Sequence, residues 1–251
     1  TGAAVSIQGL TLRNGNAGGG NGGALWTNSP LTLTNVAILT NTAYWGGGAY
    51  AEILPLGRTS APPLDLLDEA SIAAAAAQAA SSPHALRLVF DATGFLHGDG
   101  DVPERALRQI DPAHMARAFA LNAIGPALLM KHFLPRLPRA GRAVFATLSA
   151  RVGSIGDNRL GGWYSYRASK AALNQLVRTA AIELARTHPE AVCVALHPGT
   201  ADTALSRPFA RRGLDVVSPG AAALRLLAVL GALAPSDSGS FLDYRGQRLP
   251  F

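Results

Sequence analysis

Tyr166 and Lys170 stand four residues apart at the head of the helical stretch "YSYRASKAALNQLVRTAAIELARTHP". That spacing places both side chains on one face of one helical turn. An ammonium beside a phenol favours the phenolate, which brings the tyrosine pKa down toward a value useful for proton transfer. Exposed helix surfaces carry such pairs too, so the surroundings must decide. A second stretch, "RNGNAGGGNGGALW" at residues 13–26, has the glycine density of a loop that cradles a phosphate, and such a loop has to open onto a helix N-terminus to bind one.

Other chemistries find little support. There is no G-x-S-x-G nucleophile elbow and no P-loop ending in Gly-Lys-Ser/Thr. The histidines at 84, 97, 114, 132, 188 and 197 lack metal-ligand spacing, so no metal site is expected. The single cysteine, Cys193, excludes an internal disulfide and sits in the apolar run "AVCVALHP", where it reads as a small core residue of a protein kept in a reducing compartment. The net charge of +6 is spread over single residues, nearly all arginine, with Lys131 and Lys170 the only lysines. Nucleic-acid binding, which calls for a basic cluster with interleaved aromatics, is not expected. No run approaches the roughly 20 apolar residues of a membrane-spanning helix, and no charged-then-apolar leader is visible. A cytoplasmic protein is expected.

The elements that must position these residues follow two grammars. Residues 1–50 hold short alternating runs, "AVSIQGLTL" and "PLTLTNVAIL", separated by glycine. "LTLRN" at Leu10 returns as "LTLTN" at Leu31, and "GGAL" at Gly22 as "GGAY" at Gly47. A short strand-only repeat is what a rung of a parallel β-helix looks like, and the pattern resembles right-handed β-helix repeats of bacterial surface proteins. A flexible glycine-rich leader is the competing reading. From residue 51 to 251, strand-like runs ("LRLVFDATG", "RAVFATLS", "AVCVALHPG") alternate with long helical patterns, and "GSFLDYRGQRLP" reads as a last strand after a helix near 221–233. The alternation predicts an α/β fold, a parallel Rossmann-like sheet with helices on both faces, preceded by a short glycine-rich β segment. Two domains are expected, 1–50 and 51–251.

The stretch "LSARVGSIGDNRLGGWYSYRASKAALN", between "VFAT" and "ALHPGTADT", resembles the short-chain dehydrogenase/reductases and is similar to their C-factor-like branch. The resemblance runs from about residue 51 to 251. It implies NAD(P)(H) binding and hydride transfer between the nicotinamide and a carbonyl or alcohol. Tyr166 would be the general acid/base, and Lys170 would lower its pKa and hold the nicotinamide ribose. Asn122, in "FALNAIGPA", matches the helix asparagine that supports the lysine and a proton-relay water. A serine would polarise the substrate oxygen, and both Ser149, at the end of the strand "AVFATL", and Ser154 stand near the family position. Ser149 is preferred because active sites are built at the C-terminal edge of such sheets.

The resemblance also implies cofactor contacts. Asp91, Ala92, Thr93 and Gly94 stand where the family has an Asn-Asn-Ala-Gly turn, with an acceptor replacing the first donor. Asp65 and Leu66 match the adenine-side aspartate motif, and Pro198, Gly199 and Thr200 the loop over the nicotinamide. Arg58, after the second family strand, suits a ribose 2′-phosphate and so NADP(H) over NAD(H); a solvated surface arginine is the other reading. The partners expected are a small carbonyl or alcohol substrate and a second copy of the chain joined through helices.

The glycine stretch fails as the family's T-G-x-x-x-G-x-G loop. No glycine triplet has the i, i+4, i+6 spacing, and a strand pattern follows where a helix must start. The nearest positional substitute, "NVAILTNTAYWGGG", offers a strand but leaves no room for a crossover helix. Three expectations follow: an NADP(H)-dependent reductase working with a replaced first unit, a β-helix surface or adhesive module carrying a non-catalytic reductase remnant, or a fused reading frame. Enzymatic activity is left in doubt by the missing loop.

Overall fold

The computed structural model describes residues 36–40, 52–98, 100–209 and 215–251. The glycine stretch 13–26, the β-helix-like repeats other than Val36–Thr40, and the junction at residues 50 and 51 lie outside them.

Eight strands are described: β1 (Val36–Thr40), β2 (Glu52–Leu56), β3 (Leu86–Asp91), β4 (Ala143–Leu148), β5 (Ala191–His197), β6 (Thr200–Ala201), β7 (Val216–Val217) and β8 (Phe241–Asp243). Five helices accompany them: α1 (Glu69–Ala80), α2 (Pro112–Phe119), α3 (Gly125–Phe133), α4 (Tyr164–Leu184) and α5 (Pro219–Ala232). The main sheet has the order β2-β1-β3-β4-β5-β8. From β3 to β8 every pairing is parallel, as the strand and helix alternation predicts.

β1 is the exception and runs antiparallel to both β2 and β3. The short connection between Thr40 and Glu52 cannot hold the crossover that a parallel neighbour needs, so the chain returns antiparallel. The strand seen in "NVAILT" therefore forms, and it occupies the position between β2 and β3 in reverse sense.

Both faces of the sheet are buried along β3, β4 and β5, with side chains alternating between them. Val89, Phe145, Cys193 and Ala195 face α1, α3 and α4. Leu88, Phe90, Val144, Val192, Val194 and Leu196 face Leu226, Val229 and Leu230 of α5. Local chemistry sets the helix starts. Asp68 caps α1 through the Ala70 N–H, Asp111 caps α2 through the His114 N–H, and Ser218 caps α5 through the Ala221 N–H. Pro112 and Pro219 stand in the first helical positions, where their missing N–H costs nothing. α2 and α3 are joined by a π-helical turn, Ala120–Ile124, that centres on Asn122. No described helix is long and apolar enough to cross a membrane.

Candidate active site

The C-terminal ends of β3, β4 and β5 bring the expected residues together. Tyr166 and Lys170, in the first two turns of α4, are both buried. The Lys170 Nζ donates to the carbonyl of Leu148 at 2.8 Å, at the end of β4. It lies 6.0 Å from the centre of the Tyr166 ring. A Cβ on Gly94, at the end of β3, would come within 3.9 Å of it.

Burial governs both ionisations. It pushes the Tyr166 phenol up to about 12. It pushes the Lys170 ammonium down to about 8, with the Asp91 carboxylate pulling part of the way back. Desolvation is the cause that acts on the phenol in this structure, and the ammonium is directed at the Leu148 carbonyl. Near neutral pH Tyr166 keeps its proton and is equipped to donate it.

Asn122 is fully buried and ties two elements to the site. Its Oδ1 accepts from the Phe95 N–H at 2.7 Å, and its Nδ2 donates to the Phe95 carbonyl at 2.8 Å and to Ser169 Oγ at 3.0 Å. Ser169 Oγ in turn donates to the Tyr166 carbonyl. The π-helical turn is the local irregularity that carries this asparagine, in keeping with the frequent placement of such turns at functional sites.

The two candidate serines are both buried but differently engaged. Ser149 Oγ donates to Asn174 Oδ1 at 2.7 Å, from the residue following β4. Ser154 Oγ accepts from the Asp157 N–H at 3.1 Å and so serves its own turn. To polarise a substrate oxygen, Ser149 has to turn its proton away from Asn174.

The remaining expected residues separate into near and far groups. Asp91 uses its acceptors fully: Oδ1 takes the Thr93 N–H at 2.9 Å and Oδ2 the Thr147 hydroxyl at 2.6 Å. Aspartate in place of asparagine is therefore matched by a donor on β4. Burial holds its carboxyl above the usual range, and the bonds from Thr147 and Thr93 oppose the shift. Ala92 is half-buried beside it. The Thr93 hydroxyl is buried beside the Asp91 carboxylate. Pro198, Gly199 and Thr200 follow β5. Gly199 adopts φ +77° with the Tyr244 ring 3.0 Å from where a Cβ would stand, so no larger residue fits. Asp65 accepts from the Leu67 N–H, while Leu66 is buried against Gly125 at the start of α3. Arg58 is exposed two residues beyond β2.

A cavity of about 700 Å³ is lined by Val102, Pro103, Arg105, Trp163, Pro208 and Phe209, among others, and Trp163 stands between it and Tyr166. That volume suits a small molecule. The Trp163 ring is 6.2 Å from Tyr166 and 5.1 Å from Phe209. His97 packs its ring edge-on against Phe209, with its Nε2 within 3.2 Å of the Ala204 and Leu205 carbonyls. Glu104 borders the cavity too, with its carboxylate buried against Ser165. None of Glu104, Trp163, Phe209 or His97 was singled out in the sequence. They meet across loops, and only the run Gly161, Gly162, Trp163 before α4 hinted at unusual backbone; all three have left-handed φ. No metal-ligand cluster occurs among the described residues.

A Rossmann-like sheet with a buried tyrosine and lysine at its C-terminal edge defines a class of nucleotide-dependent oxidoreductases. Residues 41–225 match the family model described as enoyl-(acyl carrier protein) reductase, and the chain belongs to the short-chain dehydrogenase/reductase family. It is 39% identical over 148 residues to the C-signal protein of Myxococcus xanthus, covering 58% of this chain and 84% of that protein. It is 31% identical over 191 residues to the 1-hydroxy-2-glutathionyl-2-methyl-3-butene dehydrogenase of Rhodococcus sp. (strain AD45), covering 76% and 80%. Among solved structures, NADPH-bound carbonyl reductase from chicken fatty liver superposes with a TM-score of 0.65 at 31% identity, over 75% of this chain and 76% of that one.

Proposed function

We propose that this chain is an NADP(H)-dependent carbonyl reductase acting on a small carbonyl or alcohol substrate. The observation that carries the reading is the buried pair Tyr166 and Lys170, one helical turn apart at the C-terminal edge of the sheet, with Trp163 between Tyr166 and a cavity. NADPH, when bound, would supply the hydride for the substrate carbon. Reduction of a carbonyl leaves an alkoxide, and Tyr166 gives that oxygen its proton. Ser149 donates a hydrogen bond to the same oxygen once it releases Asn174. Lys170 keeps a positive charge beside the phenol up to about pH 8.

The residues present fit the nicotinamide end of the cofactor. Thr93 offers a buried hydroxyl, Gly94 an open backbone, and Lys170 a cation, all at one sheet edge. Thr93, Gly94, Tyr166, Lys170 and the loop Pro198, Gly199, Thr200 would hold the nicotinamide and its ribose. Ala92 and Asp91 would support that turn, and Asp65 and Leu66 the adenine side. Arg58 would meet the 2′-phosphate, in line with the NADPH held by the chicken carbonyl reductase.

The test is NADPH and NADH oxidation, each supplied at millimolar concentration, by the purified chain with a panel of small aldehydes and ketones. Carbonyl-dependent oxidation of NADPH faster than of NADH is expected. Arg58→Asp should cut the NADPH preference by about 10- to 100-fold, as a charge-assisted bond of roughly 1.5–3 kcal/mol is lost. No carbonyl-dependent oxidation would favour the non-catalytic remnant instead.

A further inference from the structure

The helix that carries Tyr166 begins without a cap of its own. Its N-cap position is Trp163, which has no capping side chain, and its first turn holds no acidic residue. Asp68, Asp111 and Ser218 serve α1, α2 and α5 from the adjacent position. For α4 the acceptors come instead from Glu104, 61 residues upstream of Ser165. The Glu104 carboxylate oxygens stand 3.3 and 3.2 Å from the Ser165 N–H, and Oε1 also accepts the Ser165 hydroxyl. The main-chain carbonyl of Glu104 accepts the Trp163 N–H at 2.5 Å. One residue thus holds both Trp163, at φ +53°, and Ser165, the neighbour of Tyr166.

Glu104 is itself fixed. Gln109 Oε1 accepts the N–H groups of Arg105 and Ala106 at 2.7 and 3.1 Å. His114 Nε2 lies 3.9 Å from Glu104 Oε1, and its Nδ1 lies 3.3 Å from Asp101 Oδ1. A carboxylate at a helix N-terminus is stabilised by the helix dipole as well as by the N–H groups it meets. We infer that Glu104 is a positioning residue for Tyr166: by capping α4 from a distance it sets the height and direction of the helix's first turn and, through Trp163, the adjoining wall of the cavity. This inference rests on the reductase reading for its catalytic consequence. The cap itself is read without cofactor.

Glu104→Ala, Glu104→Gln and Ser165→Ala, made on a Trp26→Phe and Trp45→Phe background, leave Trp163 as the single tryptophan. In Glu104→Ala, kcat should fall about 30-fold with KM within about threefold, the scale expected when a catalytic group is misplaced. In the same variant without cofactor, acrylamide quenching of Trp163 should rise. Glu104→Gln, which keeps one oxygen acceptor, should lie between Glu104→Ala and the parent in both readouts, and Ser165→Ala should be milder still. Sodium formate is small enough to enter the cavity that Glu104 borders, so it should restore a part of the Glu104→Ala rate and of its Trp163 shielding while leaving the parent protein unaffected. A folded Glu104→Ala with parental kcat and Trp163 quenching, or one whose loss formate does not reverse, overturns the inference. Should Glu104→Ala fail to fold, Glu104→Gln and Ser165→Ala decide by the same two readouts, parental values in both overturning it. If the parent protein reduces no carbonyl, the proposed function fails, while Trp163 quenching still decides whether Glu104 holds the helix start.

Discussion

Lys170 shows how far a single group departs from its ordinary chemistry. Its ammonium titrates near pH 8, against 10.5 for a free lysine. Below pH 8 folded and unfolded chains both hold the proton, and the native state carries the full cost of burying the charge. Between pH 8 and 10.5 the unfolded chain holds more protons, so stability rises with pH; above 10.5 the cost is gone. Relative to Lys170→Met, the native protein should therefore gain about 3 kcal/mol in unfolding free energy between pH 7 and 10.5. Urea titrations followed by circular dichroism at several pH values check this, and a difference that does not change with pH contradicts it. The serines give a second test at this scale. Ser149→Ala should lower kcat more than Ser154→Ala, by an amount near the 2.7–4 kcal/mol reported for losing one oxyanion donor. Equal, small losses would remove Ser149 from the site.

At the scale of elements, α4 must pack closely on the turn after β4 for Lys170 to reach Leu148. Gly153 makes this possible: a Cβ there would stand 2.7 Å from the Lys170 Cβ and 2.9 Å from its backbone carbon. Gly153→Ala should cost about 1–3 kcal/mol of stability through overpacking and lower the rate by tilting the helix; unchanged thermal unfolding would contradict the close approach. The strands β3, β4, β5 and β8 and the helices α4 and α5 were legible because each is a continuous apolar or amphipathic run of the right length. The sense of β1 was not, since orientation depends on the connection and not on the strand's own pattern. Tyr166 and Lys170 were legible as a helical i, i+4 pair. Their protonation was not, because burial and the direction of the ammonium are set by tertiary packing. Glu104 was invisible for a related reason: a cap normally adjoins its helix, and this one comes from a loop 61 residues away.

For the whole molecule, the parallel sheet is there to gather residues from distant parts of the chain at one edge. Gly94 follows β3, Ser149 follows β4, Pro198 follows β5, and α4 brings Tyr166 and Lys170 across them. Asn122 locks this arrangement by joining the loop after β3 to α4. With its pKa pushed up to about 12, the Tyr166 phenol holds its proton at neutral pH and has one to give to an alkoxide, while the phenolate that the reverse oxidation needs as a base is scarce; the reverse oxidation should therefore speed up as pH rises. The most direct test of the central claim is to reduce a small ketone with NADPH deuterated at its transferable position and to compare the native protein with Tyr166→Phe. The product alcohol should carry one deuterium on its carbinol carbon, and Tyr166→Phe should form it about 10² to 10⁴-fold more slowly with its circular dichroism unchanged. An alcohol without deuterium, no alcohol at all, or a Tyr166→Phe rate more than half the native one would contradict it.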